Sequence, residues 1–185
     1  MLAPVDVTNI RIETPRLILR PWRQTDLRDF YEYASVDSVG QMAGWRPHQS
    51  MEESQMILDM FISGKKTLAL EQKESGKVIG SIGLEEMDPD PITDARQGRE
   101  IGYVLSRDCW GRGLAPEAVM ALIEYCFAVL QLDYLTCGHF LQNSQSKRVI
   151  EKTGFQYFGD SQLETLLGTV ESCRNYIQYN PYKER

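Results

Sequence analysis

The sequence predicts one domain built of mixed α/β layers. Three observations carry that reading. Strand-like runs and segments of helical period share the chain from end to end. One strand-like run, Ile101-Gly102-Tyr103-Val104-Leu105, passes through a glycine turn straight into an apolar helix. No repeat, low-complexity tract or linker divides the 185 residues, a length that suits a single domain with a sizeable core. Residues 1–185 are expected to form that one domain, with about 10–180 as its folded part.

In chain order, Arg16-Leu17-Ile18-Leu19-Arg20-Pro21-Trp22 is the first strand, ending near Pro21. Thr25 or Asp26 caps a short helix carrying Leu27, Phe30, Tyr31 and Ala34. Ser50-Met51-Glu52-Glu53 has the form of a capping box. The helix it opens carries Met56, Ile57, Met60 and Phe61 and ends at Gly64. Between these helices, Gly44-Trp45-Arg46-Pro47-His48-Gln49 is an aromatic loop that either covers a pocket or plugs the core edge. Residues 66–72 and 77–86 are strands joined by the hairpin turn Glu74-Ser75-Gly76. A polar loop runs from Asp88-Pro89-Asp90-Pro91 to Gly98, and residues 99–105 form the strand before the glycine turn. Residues 134–140 are a further strand. Asn143 caps a helix with Val149 and Ile150 inward, closed by Gly154. Residues 155–159 and roughly 170–179 make a final hairpin.

The chain is organised around Cys109-Trp110-Gly111-Arg112-Gly113-Leu114-Ala115-Pro116-Glu117-Ala118. Leu114, Ala118, Leu122, Cys126 and Leu130 recur every fourth residue, flanked by Val119, Ile123 and Phe127, which is a wide buried helix face. A strand, a glycine turn and a helix N-terminus together make an anion site, because free N–H groups point outward and the helix dipole adds positive charge. The two glycines remove the Cβ atoms that would hold a phosphate off the backbone. Pro116 suits the first helical turn, where its missing N–H loses nothing, and Glu117 suits the dipole. The turn is no nucleoside-triphosphate loop, since G-x-x-x-x-G-K-[ST] is absent, and Pro116 occupies the third glycine position of the dinucleotide fingerprint. On its own, a G-x-G turn also fits a tight turn that binds nothing.

Composition narrows the partners. The chain is 42% hydrophobic and 25% charged, an ordinary globular balance. A net charge of −6 argues against a nucleic-acid surface and is compatible with a cationic substrate or with a merely solvated acidic surface. Cys109, Cys126, Cys137 and Cys173 lack paired metal-ligand spacing, and His48 and His139 lie in no ligand motif, so no metal is expected. Free thiols suit a reducing, cytoplasmic setting, and no run approaches signal-peptide or membrane-spanning form.

Context decides what the turn holds. Glu100-Ile101-Gly102-Tyr103-Val104-Leu105, the turn itself, Asn143-x-x-Ser146 and Glu151-Lys152-Thr153-Gly154-Phe155 together resemble the GNAT superfamily of acyl-CoA-dependent N-acetyltransferases. Within it the chain most resembles the ribosomal-protein N-terminal (alanine/serine) acetyltransferase branch, of which Glu13-Thr14-Pro15-Arg16-Leu17-Ile18-Leu19-Arg20 is also typical. The resemblance implies a single-domain GNAT fold: a mixed, mostly antiparallel sheet of six to seven strands, splayed at the CoA site, with helices on both faces. It implies acetyl-CoA as cosubstrate, bound by Tyr103, Val104, Leu105, Trp110, Gly111, Arg112, Gly113, Leu114, Ala115, Asn143 and Ser146. The N–H groups from about Gly111 to Ala115 would take the pyrophosphate. The pantetheine arm would lie in the splay and pair with main chain near Val104 and Leu105. The family loop carries Gln or Arg where this chain has Trp110, a departure common in this branch.

Amide formation from a thioester needs a neutral amine, a base to receive its proton and a donor for the departing sulfur. Glu100 is the candidate base; strand alternation puts it with Gly102 and Val104, opposite Ile101, Tyr103 and Leu105. A structural carboxylate paired with Arg99, Arg112 or another cation fits the same residue. Glu85 is a weaker candidate. The tyrosine that many family members carry seven residues after the Asn is replaced by Ile150, which leaves Ser146 either as the hydroxyl for the leaving sulfur or as an ordinary first-turn serine. His139 is either a cleft residue or a structural histidine. The expected activity is acetyl transfer to a primary amine: a protein N-terminus, or a small amine such as a polyamine, amino acid or antibiotic. A CoA-binding sensor of the same fold, without turnover, is the reading from another class. Trp45, His48 and the loop at Asp88-Pro89-Asp90-Pro91 are where acceptor choice is expected, and a monomer or homodimer is anticipated.

Overall fold

The computed structural model describes residues 2–86 and 96–183. In chain order its elements are β1 (Ile12–Glu13), β2 (Leu17–Pro21), α1 (Leu27–Ala34), α2 (Met51–Gly64), β3 (Thr67–Gln72), β4 (Val78–Glu85), β5 (Gly98–Leu105), α3 (Leu114–Ala128), β6 (Tyr134–Phe140), α4 (Ser144–Lys152), β7 (Gln156–Glu164) and β8 (Val170–Tyr179). The strands form one sheet in the order β1-β2-β3-β4-β5-β6-β8-β7. Every neighbouring pair is antiparallel except β5 with β6. A parallel pair needs a long crossover, and α3 supplies it.

The sheet is covered on both faces. On one, Leu114, Ala118, Leu122 and Cys126 of α3 and Ile150 of α4 pack on Leu17, Leu19, Leu68, Leu70, Ile101 and Leu135. On the other, Phe30, Tyr33 and Ala34 of α1 and Leu58 of α2 pack on Ala69 and Val78. The α3 face matches its sequence period through Phe127, and the helix closes at Ala128, before Leu130.

Among the described residues there are eight strands rather than six or seven. The extra strand, β1, is a two-residue pairing of Ile12 with Leu19 and Glu13 with Ile18, too short to leave an alternation in the sequence. β7 runs on to Glu164, beyond residue 159, because an exposed edge strand shows no buried face to read. Gly64 is the last residue of α2, and the left-handed residue that ends it is Lys65, φ +53°. Asp26 stands at the start of α1, but its carboxylate caps nothing there. It accepts two bonds from the buried Arg20 guanidinium, at 2.8 Å each, and one from the Arg23 N–H.

The Tyr134 side chain is fully buried against Gly98, where any Cβ would enter its ring, so the parallel ladder starts at a residue that must be glycine. Leu122, 0% exposed, sits mid-helix in α3. Leu122→Ala is expected to lower the unfolding free energy by about 2–5 kcal/mol in urea titration, the transfer loss plus the cavity left behind.

Candidate active site

The cleft begins where a ladder stops. β5 pairs with β6 at Gly98 with Tyr134, Arg99 with Leu135 and Glu100 with Thr136, and no further. β5 stays on β4 as far as Leu105 with Gly80, and β6 stays on β8 as far as Phe140 with Cys173. The two strands therefore part after Glu100, and a cavity of about 510 Å³ fills the gap.

The Val104 carbonyl turns toward β4, so close to Gly80 that a Cβ there would strike it. By alternation, the main-chain groups of Ile101, Tyr103 and Leu105 face the gap. The Leu105 carbonyl accepts from the Trp110 indole N–H at 2.9 Å. Trp110 thus closes the end of the open edge. Past the last rung of the ladder, the Ile101 carbonyl, the Tyr103 main chain and the Leu105 N–H face the gap, on either side of the Val104 that the sequence named.

The glycine turn closes one end of the cavity. Gly111 (φ +73°) and Gly113 (φ +76°) are both left-handed, and α3 starts at Leu114. Trp110, Gly111, Gly113, Leu114, Ala115 and Pro116 line the wall; Arg112 does not. The Arg112 carbonyl instead faces Arg16, whose Nη1 donates to it at 2.8 Å.

α4 forms the far wall. Asn143 Oδ1 accepts from the Ser146 N–H at 3.0 Å, the expected cap, and its Nδ2 donates to the Met42 carbonyl at 3.3 Å. Ile150, where the family tyrosine would stand, is 1% exposed in the core. A phenol arrives from elsewhere: the Tyr103 hydroxyl lies 2.8 Å from Ser146 Oγ. Burial, and secondarily Cys137, push the Tyr103 hydroxyl well above its usual range, so it stays a proton donor at neutral pH. Arg148 and Lys152 of α4 also line the cavity.

Glu100 lies on the opposite side of the open edge from Tyr103. Register puts Thr136, Gly138 and Phe140 of β6, and Asn175 and Cys173 of β8, on its face. A Cβ at Gly138 would stand 3.6 Å from Glu100 Oε1, so the absent side chain opens space beside the carboxylate. Arg99 donates to the Ala3 carbonyl at 2.7 Å, and Arg112 is turned out of the wall, so neither neutralises Glu100. Burial, and then the carboxylate of Glu85 opposite it in the ladder, raise the Glu100 carboxyl to about 7. Glu85 itself pairs with Lys66 at 2.7 Å.

Gly138, Phe140, Ser161, Cys173 and Asn175 were not marked by the sequence, because only the register of β6, β7 and β8 brings them to Glu100. Asn175 Nδ2 donates to Ser161 Oγ at 2.9 Å. His139 lines the cavity but is fully used: Nδ1 meets the Phe140 carbonyl at 2.8 Å and Nε2 the Tyr176 hydroxyl at 3.2 Å. The carbonyl can only accept, which assigns the proton to Nδ1. Trp45 plugs the core edge, packing over Gly40 and His48; Val39, Met42 and Ala43 form the cavity rim there. Asp88-Pro89-Asp90-Pro91 lies outside the described residues.

A family model, the acetyltransferase (GNAT) domain, matches residues 16–156. The chain belongs to the GNAT family. An uncharacterized N-acetyltransferase of Bacillus licheniformis is 32% identical over 152 residues, covering 79% of this chain and 82% of its own. Spermidine N(1)-acetyltransferase of Escherichia coli (strain K12) is 25% identical, over 77% of this chain and 74% of its own. Among solved structures, a GNAT-family acetyltransferase from Bacillus anthracis superposes with a TM-score of 0.81 at 20% identity, over 92% and 99% of the two chains. Ribosomal-protein-S5-alanine acetyltransferase from Vibrio fischeri gives 0.73 at 19%, over 96% and 100%. The self-immunity acetyltransferase MccE, solved with acetyl-CoA and AMP, gives 0.74 at 18%, over 90% and 93%. The GNAT cosubstrate is acetyl-CoA. No helix among the described residues of this GNAT member is long and apolar enough to cross a membrane.

The raised carboxyl has a stability consequence. Native Glu100 holds its proton up to about pH 7, whereas the unfolded chain releases it near the ordinary glutamate value of 4.5. Between those limits the native state binds the extra proton, so stability present below pH 4.5 is lost as pH rises to about 7. Melting curves of wild type and Glu100→Gln from pH 4 to 8 should therefore converge on the acid side. The wild type should fall relative to the variant across the window.

Proposed function

We propose that this GNAT member transfers acetyl groups from acetyl-CoA to a primary amine, with the donor in the gap between β5 and β6 and the acceptor approaching from the Glu100 face. The observation that carries this is the parting of the parallel ladder after Glu100 and Thr136, closed at one end by two left-handed glycines at a helix N-terminus. An amide-rich, phosphate-bearing arm fits both parts: open main-chain groups along β5, and free N–H groups at the turn. When bound, acetyl-CoA supplies the acetyl thioester.

The residues divide the remaining work. N–H groups of Gly111, Gly113, Leu114 and Ala115 bind phosphate, while Pro116 has none to give. The Ile101 carbonyl, the Tyr103 main chain and the Leu105 N–H hold the amide arm, with Asn143 at the opposite wall. Glu100 receives the proton of the attacking amine, directly or through water, and a carboxyl at about 7 is matched to that task at neutral pH. Ser146 donates to the leaving sulfur while accepting from the Tyr103 hydroxyl, 2.8 Å from its Oγ. Ser146 alone is a weak donor; the phenol polarises it and replaces the tyrosine missing at position 150.

On the acceptor side the described wall holds Glu100, Gly138, Phe140, Ser161, Cys173 and Asn175 and no Lys or Arg. Arg148 and Lys152 belong to α4, across the gap. Such a wall suits an amine that arrives as a cation and carries no carboxylate beside it. Peptide N-termini and polyamines qualify, and proteins similar to this chain include enzymes named for a ribosomal-protein alanine and for spermidine. An α-amine, with a free pKa of ~7.7–8.0, is far easier to deprotonate than a lysine-type amine at ~10.4.

Thiol release from acetyl-CoA tests the reading with peptides of free N-terminus, polyamines, aminoglycosides and free amino acids. Turnover with a peptide or polyamine and none with amino acids is expected. Stabilisation by CoA with no thiol release for any amine would make the protein a sensor. In the active assay, Glu100→Gln should lower kcat/KM about 100-fold or more and abolish the rise through about pH 7. An unchanged pH profile would return Glu100 to a structural role.

A further inference from the structure

We propose that Arg16, almost a hundred residues from the glycine turn in sequence, is the positioning residue that sets the turn for phosphate. This rests on the acetyl-CoA reading above.

The segment before β2 grips the start of α3. Thr14 Oγ1 donates to Glu117 Oε1 at 2.6 Å, and the Arg16 main-chain N–H donates to the same oxygen at 2.9 Å. Arg16 Nε donates to Glu117 Oε2 at 2.7 Å, with Nη2 at 2.6 Å from it. Nη1, the remaining arm of the fork, takes the Arg112 carbonyl at 2.8 Å. Glu117 is therefore more than a charge placed for the helix dipole. It anchors a guanidinium whose free edge reaches into the turn.

Peptide geometry gives that contact its meaning. In a planar trans peptide the C=O and the following N–H point in opposite directions. With the Arg112 carbonyl held outward on Arg16, the N–H of Gly113 points the other way. Gly113 lines the cavity, and Arg112 does not. That peptide unit is otherwise easily reversed, because its flip turns on the φ of Gly113, and a glycine tolerates either hand. Arg16 removes that freedom. A lysine cannot replace the fork, since one ammonium on a flexible stem does not hold a carboxylate and a carbonyl in fixed geometry.

The test is CoA binding by calorimetry to wild type, Arg16→Ala and Arg16→Lys, with kinetics on acetyl-CoA and on S-acetyl-pantetheine, which lacks the pyrophosphate. Arg16→Ala should raise the CoA Kd and the acetyl-CoA KM about tenfold or more while kcat changes little, with Arg16→Lys recovering part of the loss. Turnover of S-acetyl-pantetheine should be unaffected by either change, which a general loosening of the fold would not allow. Thr14→Val, which removes one bond to Glu117, gives a milder shift in the same direction. Wild-type affinity in Arg16→Ala, or equal losses on both donors, overturns the proposal. A wild type that binds no CoA overturns the acetyl-CoA reading itself, and this proposal with it.

Discussion

The parting of β5 from β6 is the constraint on which the rest of the structure depends. A sheet that stops pairing in its interior leaves main-chain donors and acceptors without partners, and such groups must find water or a ligand. Here the parting is enforced from three sides. β4 holds β5, β8 holds β6, and α3 must span from the end of one to the start of the other. Trp110 then ties off the open edge at Leu105, and the bond between Tyr103 and Ser146 bridges from that edge to α4.

Strand alternation turns this one gap into two chemical environments. Successive residues of β5 face opposite sides, so Glu100 and Tyr103 serve opposite walls of the same cleft. The α3 and α4 side offers N–H groups, hydroxyls and cations. The α1 and α2 side offers a partly desolvated carboxylate beside Gly138. The proposed reaction needs that separation, because the proton acceptor for the amine and the proton donor for the sulfur must not neutralise each other.

Much of this was legible in the sequence. The apolar period of α3, the two glycines of the turn, the Asn143 cap and the strand before the turn are local signals, and the structure places them where their spacing implies. What could not be read depends on register or on long-range packing. Gly138 and Asn175 meet Glu100 only through the pairing of β6 with β5 and β8. Tyr103 was marked only as a CoA-binding residue, and nothing in its surroundings in the chain signals the hydroxyl partner on α4. Thr14 and Arg16 were noted as part of a typical opening, and Arg16 also as the start of the first strand; their role emerges when β2 lies beside the start of α3. The exposed β7 carries no alternation, so its length was hidden, and a two-residue β1 is below any periodic signal.

The central claim is that one ligand occupies both the open edge of β5 and the glycine turn. Amide hydrogen exchange with and without CoA tests it most directly. Slowed exchange is predicted at Tyr103 and Leu105 and at residues 111–115, with α2 unchanged. CoA binding that protects other segments and leaves both of these untouched would contradict it.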